Sequence, residues 1–324
     1  MLKSFRWSSA LVCLALGLAS AAPARAADIE KFLPKDTDVV ISLNVQQVLE
    51  SSVVKKSALD LIKTSLATNK EAQEAFTALG LDPLKDFSRI SVGLGIQDPS
   101  KPNAIVVIDG RFDVTKINDT LETLVVKDAK KFAKDKVGDR TIYKITTPDQ
   151  PVMFFSPIDS KVLVFGTSKD YIATAFEAVK GTRTPEIKKE LADLLAKADR
   201  KSSLTVVAYT KGRLDSLPLP DASMKKILEQ IYSLTIDVKL AKDADLEVAV
   251  GTESADAAKQ MQTMISFGLN FAKEQVKAAF AAQPELAPLG GLVNSLKAAQ
   301  NEKNVVITGN LDGDSIEKLI KKDK

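Results

Sequence analysis

The sequence predicts an α+β fold made of two tandem related halves, with mainly antiparallel sheets and helices packed on one face. Two observations predict it. Short runs rich in β-branched residues alternate with longer segments in which apolar residues recur at a spacing near 3.6. In addition, four strands end in a glycine and a polar turn that leads into a helix, which indicates that one structural unit occurs twice.

The predicted strands are short and bounded by polar residues or glycine. In the first half they cover Asp38–Asn44, Ile90–Ile96, Ala104–Asp109, Thr141–Ile145, Val152–Phe155 and Val162–Gly166. In the second half they cover Leu204–Tyr209, Leu234–Leu240, Leu246–Gly251 and Val305–Gly309. Hairpins joining successive strands would produce antiparallel pairing.

Segments of helical spacing separate these strands. The predicted helices cover Val53–Leu79, Phe112–Val126, Glu186–Ala198, Met224–Tyr232 and Ala255–Ala282, the last being one long helix in the second half. Both halves then read β-α-β-β-α-β-α, with extra strands in the first. We place the first half at residues 27–181, a connecting helix at 182–202 and the second half at 203–324.

Residues 1–26 have the three parts of a secretory signal peptide. Lys3 and Arg6 precede an apolar run that ends in Pro23-Ala24-Arg25-Ala26. The run is shorter than the roughly 20 residues that span a bilayer, so we expect cleavage after Ala26 rather than an anchor. The sequence therefore predicts an exported protein, periplasmic or extracellular, without a transmembrane segment in its mature chain.

Removal of the signal peptide leaves a neutral chain without cysteine. The 45 Lys and Arg residues face 42 Asp and Glu residues, and the signal peptide removes three basic residues and no acidic one. A neutral chain has no overall field that attracts nucleic acid, so no nucleic-acid partner is expected. Cys13 lies in the signal peptide and histidine is absent from the sequence. This composition excludes a Ser-His-Asp triad and histidine- or cysteine-ligated metals from the mature chain.

The segment Ala255–Ala282 contains the candidate binding residues. Apolar residues at helical spacing form a stripe along it, and they are Met261, Met264, Ile265, Gly268, Ala272, Val276, Ala279 and Phe280. Phe267, Leu269 and Phe271 make the stripe wider than one sheet contact needs. Methionine and phenylalanine on a helix can line an adaptable apolar groove, whereas the ordinary interpretation of such a stripe is protein core. The predicted groove residues are Met261, Met264, Phe267 and Phe271.

Acidic residues suggest an alternative function, a carboxylate-dependent hydrolase with or without calcium. Asp36 and Asp38 form a pair just before the first strand. Asp312 and Asp314 follow the last strand and supply oxygen ligands of the kind that calcium binds. Because capping of the next helix explains these last two residues without a metal, neither a metal nor a cofactor is predicted.

Two motifs resemble a known family. The opening Phe32-Leu-Pro-Lys-Asp-Thr-Asp-Val-Val-Ile-Ser-Leu-Asn44 and the segment Gly80-Leu-Asp-Pro-Leu-Lys-Asp-Phe87 are similar to secreted bacterial proteins of the planctomycete type. These form a domain-of-unknown-function family with a signal peptide and tandem α+β halves. The resemblance implies export and the fold, and it implies no activity or site residue.

Together these observations predict a non-enzymatic exported protein that binds an apolar small molecule or another envelope protein. A purely structural envelope component is a further alternative. The sequence leaves the oligomeric state open, because the same apolar stripe would serve as core, as groove or as an interface between copies.

Overall fold

A computed structural model describes residues 29–97, 103–148, 151–181, 183–211 and 229–321. The predicted signal peptide lies outside these residues, as do residues 224–228 of the predicted helix Met224–Tyr232. The chain forms two compact units, one made of the described residues up to Leu49 and from Leu59 to Ala192, the other of Glu50–Ala58 and the described residues from Asp193 onward. The second division falls inside the predicted connecting segment, while Glu50–Ala58 groups with the second unit.

Antiparallel strands make up the first unit's sheet. They are β1 (Val39–Leu43), β2 (Phe87–Gly95), β3 (Asn103–Gly110), β4 (Phe132–Val137), β5 (Arg140–Ile145), β6 (Met153–Asp159) and β7 (Val162–Gly166). The order across this sheet is β1-β2-β3-β7-β6-β5-β4. The register pairs Ile90 with Ile108 and Val107 with Val164, so β-branched residues face one another at the centre.

Helices follow the strands of this unit. They are α1 (Val45–Glu50), α2 (Leu59–Thr68), α3 (Lys70–Leu79), α4 (Pro83–Asp86), α5 (Val114–Lys127) and α6 (Lys169–Lys180), and α7 (Lys189–Lys197) spans the division between the units. Asp113 caps α5 and Ser168 caps α6, each after a strand that ends in glycine. Ile117 of α5 and Ile172 of α6 are fully buried, so these two helices supply part of the core.

The second unit has a smaller antiparallel sheet. Its strands are β8 (Leu204–Tyr209), β9 (Ile231–Leu240), β10 (Ala244–Thr252), β11 (Lys297–Asn301) and β12 (Asn304–Leu311), in the order β8-β9-β10-β12-β11. Its helices are the π-helical turn Val54–Ala58, α8 (Ala255–Ala282), the 3₁₀ helix Pro284–Leu289, α9 (Gly290–Ser295) and α10 (Gly313–Lys321). Among the described residues, no helix is both long and apolar enough to cross a membrane.

The α+β prediction with antiparallel sheets is confirmed. The long helix was predicted at its observed bounds, and so were the strands β7 and β8. Both units share one order of strands. Strands β1-β2-β3-β7 of the first unit correspond in order and direction to β8-β9-β10-β12 of the second. Duplication of an ancestral unit stays a prediction that this shared order agrees with.

Several predicted elements differ from the structure. The predicted strands leave out Phe132–Val137, which forms β4 and pairs with β5 across a turn in which Gly138 has a positive φ of 57°. Lysine is favoured on sheet edges because it opposes further pairing. The predicted helix Val53–Leu79 is interrupted at Asn69, whose side chain caps α3. The predicted helix Met224–Tyr232 extends too far, because Ile231 and Tyr232 belong to β9.

Candidate functional site

Helix α8 is the longest helix in the described chain and contains the predicted groove residues. Ser254 begins it, because the Ser254 hydroxyl accepts a hydrogen bond of 3.1 Å from the Ala257 amide. Its 28 residues correspond to a length of about 42 Å. The helix packs on β10, β11 and β12 of its own unit, so one side of it lies against a sheet.

The side of α8 that faces this sheet is part of the core. Ala258 and Met261 are buried with Val250 of β10 and Val305 of β12, and Ile265 packs against the same cluster. Met261 is only 4% exposed. The prediction that Met261 lines a groove is therefore wrong for this residue, because its side chain is buried against the sheet of its own unit.

The opposite side of α8 carries large apolar side chains that the chain leaves in solvent. Met264 is 44% exposed, Phe267 75% and Phe271 60%. Gln260, Gly268 and Gln275 lie beside them along the helix and are exposed as well. We call these six residues the outer face of α8: Gln260, Met264, Phe267, Gly268, Phe271 and Gln275.

The outer face is unusual because it contains no charge. The thirteen residues from Gln260 to Ala272 include no Asp, Glu, Lys or Arg, although charged residues make up 27% of the whole sequence. A solvent-exposed helix surface normally carries charged side chains opposite its apolar stripe. An uncharged, apolar exposed face is instead typical of a surface that another molecule covers.

Polar contacts fix the rotation of α8 about its axis. The Lys273 ammonium donates a hydrogen bond of 2.8 Å to the Leu296 carbonyl. Gln262 donates to the Ala298 carbonyl at 3.3 Å, and Gln300 donates to the Ala255 carbonyl at 2.9 Å. Because these contacts lie along one side of the helix from its first turn to Lys273, the helix cannot turn Phe267 and Phe271 inward without breaking them.

Gly268 leaves a gap in the middle of the outer face. Apart from its chain neighbours and the adjacent backbone of α8, no atom of the described residues lies within 4 Å of a Cβ placed on Gly268. A glycine inside a helix costs about 1 kcal/mol relative to alanine, and no packing contact within the described chain requires it. Glycine at such a position allows a second surface to approach the helix backbone closely.

The structure separates the predicted stripe into two faces. Met261 is buried, and the other stripe residues Ile265, Ala272 and Val276 are half-buried. Met264 and Gly268 belong to the same predicted stripe but are exposed. Gln260 and Gln275 lie outside the predicted stripe. The signal that would have identified the outer face is the uncharged run from Gln260 to Ala272.

The outer face lies on one helix, and its three large apolar side chains are between 44% and 75% exposed. Two shallow depressions on the described surface have polar linings, one along α5 around Asp119 and one around Lys56 and Asp312. Neither contains a side chain of α8. A small apolar ligand needs a concave apolar pocket, so the described geometry of the outer face favours a larger partner.

The predicted carboxylate pair takes part in bonds within the first unit. Asp36 accepts hydrogen bonds from the Tyr171 hydroxyl at 2.7 Å and from the Asn103 amide at 3.0 Å. Burial, and then the bond to Asp36, raise the pKa of Tyr171 above its ordinary value. Asp38 is fully buried, forms an ion pair with Lys188 and accepts from the Ile96 amide at 3.2 Å. These contacts attach the start of β1 to its surroundings.

Asp312 and Asp314 line the same depression, and each has a partner within the chain. Asp312 caps α10, accepting hydrogen bonds of 2.8 Å from both the amide and the hydroxyl of Ser315. The hydroxyl bond is the main reason that the pKa of Asp312 lies below its ordinary value. Asp314 lies 3.6 Å from the Lys56 ammonium. Within the described residues, no group of three acidic, histidine or cysteine side chains is arranged to hold a metal ion.

Comparison with known proteins gives no family for this chain. No protein-family model matches it, and no curated protein matches it. A solved structure described as "Structure of crystal form I of TP0453" is similar over 92% of this chain and 99% of its own, with 11% sequence identity and a TM-score of 0.45. A likeness at this distance carries no information about function, and the outer face of α8 is the candidate site on its own geometry.

Proposed function

We propose that this is an exported, non-enzymatic binding protein that docks on another protein through the outer face of α8. The observation that carries the proposal is the exposure of Met264, Phe267 and Phe271 on a helix that is fixed by polar contacts. Their spacing is i, i+3 and i+7, at which an amphipathic helix inserts its anchors into a partner's groove.

The energetics of these anchors support binding. Full burial of one Phe or Met side chain stabilises a complex by about 1.5–3 kcal/mol. Three such side chains would offset several kcal/mol of the free energy that association costs. Aromatic residues at the centre of an interface also contribute more than their share of the binding energy.

The charges of α8 favour a protein over a membrane surface. Helices that lie on anionic membranes carry many Lys and Arg residues on their polar face. The charged residues of α8 are Asp256, Lys259, Lys273, Glu274 and Lys277, which leaves a net charge of only +1. Lys273 is already bonded to the Leu296 carbonyl.

The four candidate carboxylates support the hydrolase alternative less than the outer face of α8 supports binding. Asp36 and Asp38 hold the start of β1, and Asp312 caps a helix. A general base must reach the proton of a bound substrate, and these side chains are directed to partners within the chain. Export is part of the proposal and rests on the signal-peptide pattern of residues 1–26.

Photo-crosslinking tests the proposed function. A photoreactive phenylalanine analogue is placed at Phe267 and, as a matched control, at Val126, which is 84% exposed on α5 of the other unit. Both variants are irradiated in the cells that naturally produce the protein. We expect a protein adduct at Phe267 and none at Val126, because only the outer face is proposed to be covered.

Other outcomes are equally informative. An adduct with lipid alone at Phe267 would contradict a protein partner and identify the outer face as a membrane-contacting surface. Equal adducts at both positions, or no adduct at either, would show that the outer face has no special role in binding.

A further inference from the structure

Strand β4 (Phe132–Val137) forms one edge of the first unit's sheet, and among the described strands it pairs only with β5. The pairing is regular, from Phe132 opposite Ile145 to Val137 opposite Arg140, and it contains no bulge. Alternate residues of such a strand direct their backbone amide and carbonyl groups away from the sheet. An edge of this kind can accept a further strand, because those groups have no partner within the sheet.

Hydrogen bonds show which residues of β4 face outward. The Thr146 amide donates to the Lys131 carbonyl at 2.8 Å, and antiparallel bonding repeats at every second residue, so the odd-numbered residues of β4 bond to β5. The even-numbered residues Phe132, Lys134 and Lys136 therefore direct their backbone groups outward. The amides of Phe132 and Lys136 are bonded to nearby aspartates. The amide and the carbonyl of Lys134 have no hydrogen-bond partner among the described residues.

Helices cover the two faces of β4, whereas its edge is open. Lys134 forms an ion pair with Glu122 of α5 on one face, and Asp135 forms an ion pair with Lys169 of α6 on the other. These contacts fix the strand in place. The edge strand β11 of the second unit differs, because a glutamine of α8 donates a hydrogen bond of 3.3 Å to its Ala298 carbonyl. In the described part of the chain, no side chain is bonded in this way to the backbone of Lys134.

The charge around β4 indicates the kind of strand that fits. The eighteen residues from Lys127 to Lys144 include seven basic and three acidic side chains, whereas the chain after the predicted signal peptide is neutral. Lys130 and Lys136 are exposed and have no ion-pair partner among the described residues. Lysine on an edge opposes pairing with a basic strand, because like charges at opposite positions repel. The same lysines would attract an acidic strand.

We propose that the edge of β4 binds an extended acidic segment of another protein, which adds a strand to the first unit's sheet. Its backbone bonds to the outward groups of Phe132, Lys134 and Lys136, and its carboxylates lie near Lys130 and Lys136. Main-chain hydrogen bonds supply the affinity in this mode of recognition, and side chains supply the specificity. A second copy of β4 does not fit, because its lysines would meet those of the first. The site belongs to the first unit and goes beyond the proposed function of α8.

Binding of synthetic peptides to the purified chain tests the proposal. The probe is a short fluorescent peptide of alternating glutamate and valine. One control is the same peptide with its backbone nitrogens methylated, and the other alternates lysine with valine. Fluorescence anisotropy should show that the acidic peptide binds and that both controls bind at least about tenfold more weakly. The methylated control lacks the amide protons, and the lysine control has the wrong charge.

Variants of β4 test the same contacts from the side of the protein. Proline is tolerated on an edge strand where its missing amide would face solvent, so Lys134→Pro removes the outward N–H and retains the pairing with β5. We expect the acidic peptide to bind this variant at least about fivefold more weakly than the matched control Lys134→Ala, which loses the same ammonium group but retains the amide. Lys136→Glu should also weaken binding, because it reverses a charge. Circular dichroism melting verifies that the variants are folded.

Amide hydrogen exchange distinguishes an added strand from attraction between charges alone. The Lys134 amide faces solvent in the purified chain, so we expect NMR to show rapid exchange of its proton. The acidic peptide should slow that exchange, because the added strand accepts a hydrogen bond from this amide. The measurement uses the unmodified chain and therefore does not depend on the folding of any variant.

Three results would overturn the added strand: no binding of the acidic peptide up to about 1 mM, equal binding of the methylated peptide, or unchanged exchange of the Lys134 amide. Binding to phosphatidylglycerol vesicles, with no protection of this amide by the peptide, would show instead that the basic residues contact lipid. Crosslinking at Phe267 in cells reports separately on the outer face of α8. Either proposal can therefore fail without the other.

Discussion

The two sides of α8 have similar side chains in opposite environments. Met261 is 4% exposed and packs with Val250 and Val305, whereas Met264, three residues later, is 44% exposed. Apolar composition alone therefore does not distinguish core from surface on this helix. What distinguishes them is whether the sheet of the same unit supplies a partner for the side chain.

The same contrast extends to polar groups. Asp38 and Asp36 have partners within the first unit, while the outer face of α8 is apolar and exposed. Side chains that have bonding or packing partners within the chain stabilise the fold. Exposed apolar side chains without such a partner among the described residues are the candidates for binding another molecule. This contrast predicts which substitutions unfold the protein and which change only its associations.

Truncation of Met261 and of Met264 should give the largest difference in the free energy of unfolding between two variants. Met261→Ala leaves a cavity between α8 and the sheet, so we expect the free energy of unfolding to fall by about 2–5 kcal/mol. Met264→Ala should change it by less than about 0.5 kcal/mol, because that side chain is half in solvent. Urea unfolding followed by circular dichroism measures both. Equal losses would show that the two faces are not distinct.

Removal of one partner from a buried ion pair should have the next largest effect. Lys188→Met leaves Asp38 buried without its cation, and we expect a loss of about 2–4 kcal/mol. Lys56→Met removes the 2.6 Å pair with Glu317, in which the lysine is exposed, and should lower the free energy of unfolding much less, because solvent screens an exposed ion pair. The same urea titrations compare the two variants. A larger loss of unfolding free energy in Lys56→Met than in Lys188→Met would contradict the view that the burial of Asp38 determines the effect.

Replacement of Gly268 should raise stability. Because space is open above Gly268, alanine fits there without strain and gains about 1 kcal/mol of helix propensity. We expect Gly268→Ala to raise the melting temperature of the dilute chain. Gly110 provides the control, since a Cβ there would collide with the backbone carbonyl oxygen of Asp86; Gly110→Ala should lower the melting temperature. A decrease for Gly268→Ala would mean that the gap is filled within the chain.

The smallest expected effect concerns pH. Burial raises the pKa of the Tyr171 hydroxyl, which also donates to Asp36. A raised folded-state pKa gives a contribution that is complete below the ordinary value of about 10 and is lost as the pH rises above it. Melting temperatures of the wild type should therefore fall more steeply between pH 9 and pH 11 than those of Tyr171→Phe. Parallel curves would show that Tyr171 ionises as easily in the folded chain as in the unfolded chain.

The sequence predicted those helices and strands whose own residues and flanking polar residues are typical of the place they occupy in the fold. Strand β8 is bounded by polar residues, and α8 is bounded by Ser254 and Pro284, so their limits follow from composition. Strands β4 and β11 were missed because edge strands carry polar residues and lack an apolar alternation. The capping prediction for Asp312 agrees with its bonds to Ser315.

The site was only partly predictable for a geometric reason. Helical spacing places Met261 and Met264 only about 60° apart around the helix axis, so a pattern cannot tell which of them the sheet covers. The register of α8 on β10, β11 and β12 decides this, and it depends on contacts such as that between Lys273 and the Leu296 carbonyl. These contacts join residues more than twenty positions apart and leave no local signal.

Methionine oxidation provides the most direct test of the outer face as a binding surface. Mild peroxide converts exposed methionine to the sulfoxide, and peptide mass spectrometry compares Met261 with Met264 in the dilute purified protein and in the producing cells. We predict that Met261 is protected in both samples, and that Met264 is oxidised in the dilute protein but protected in cells, where its partner is present. Equal oxidation of Met264 in both samples would contradict a bound outer face.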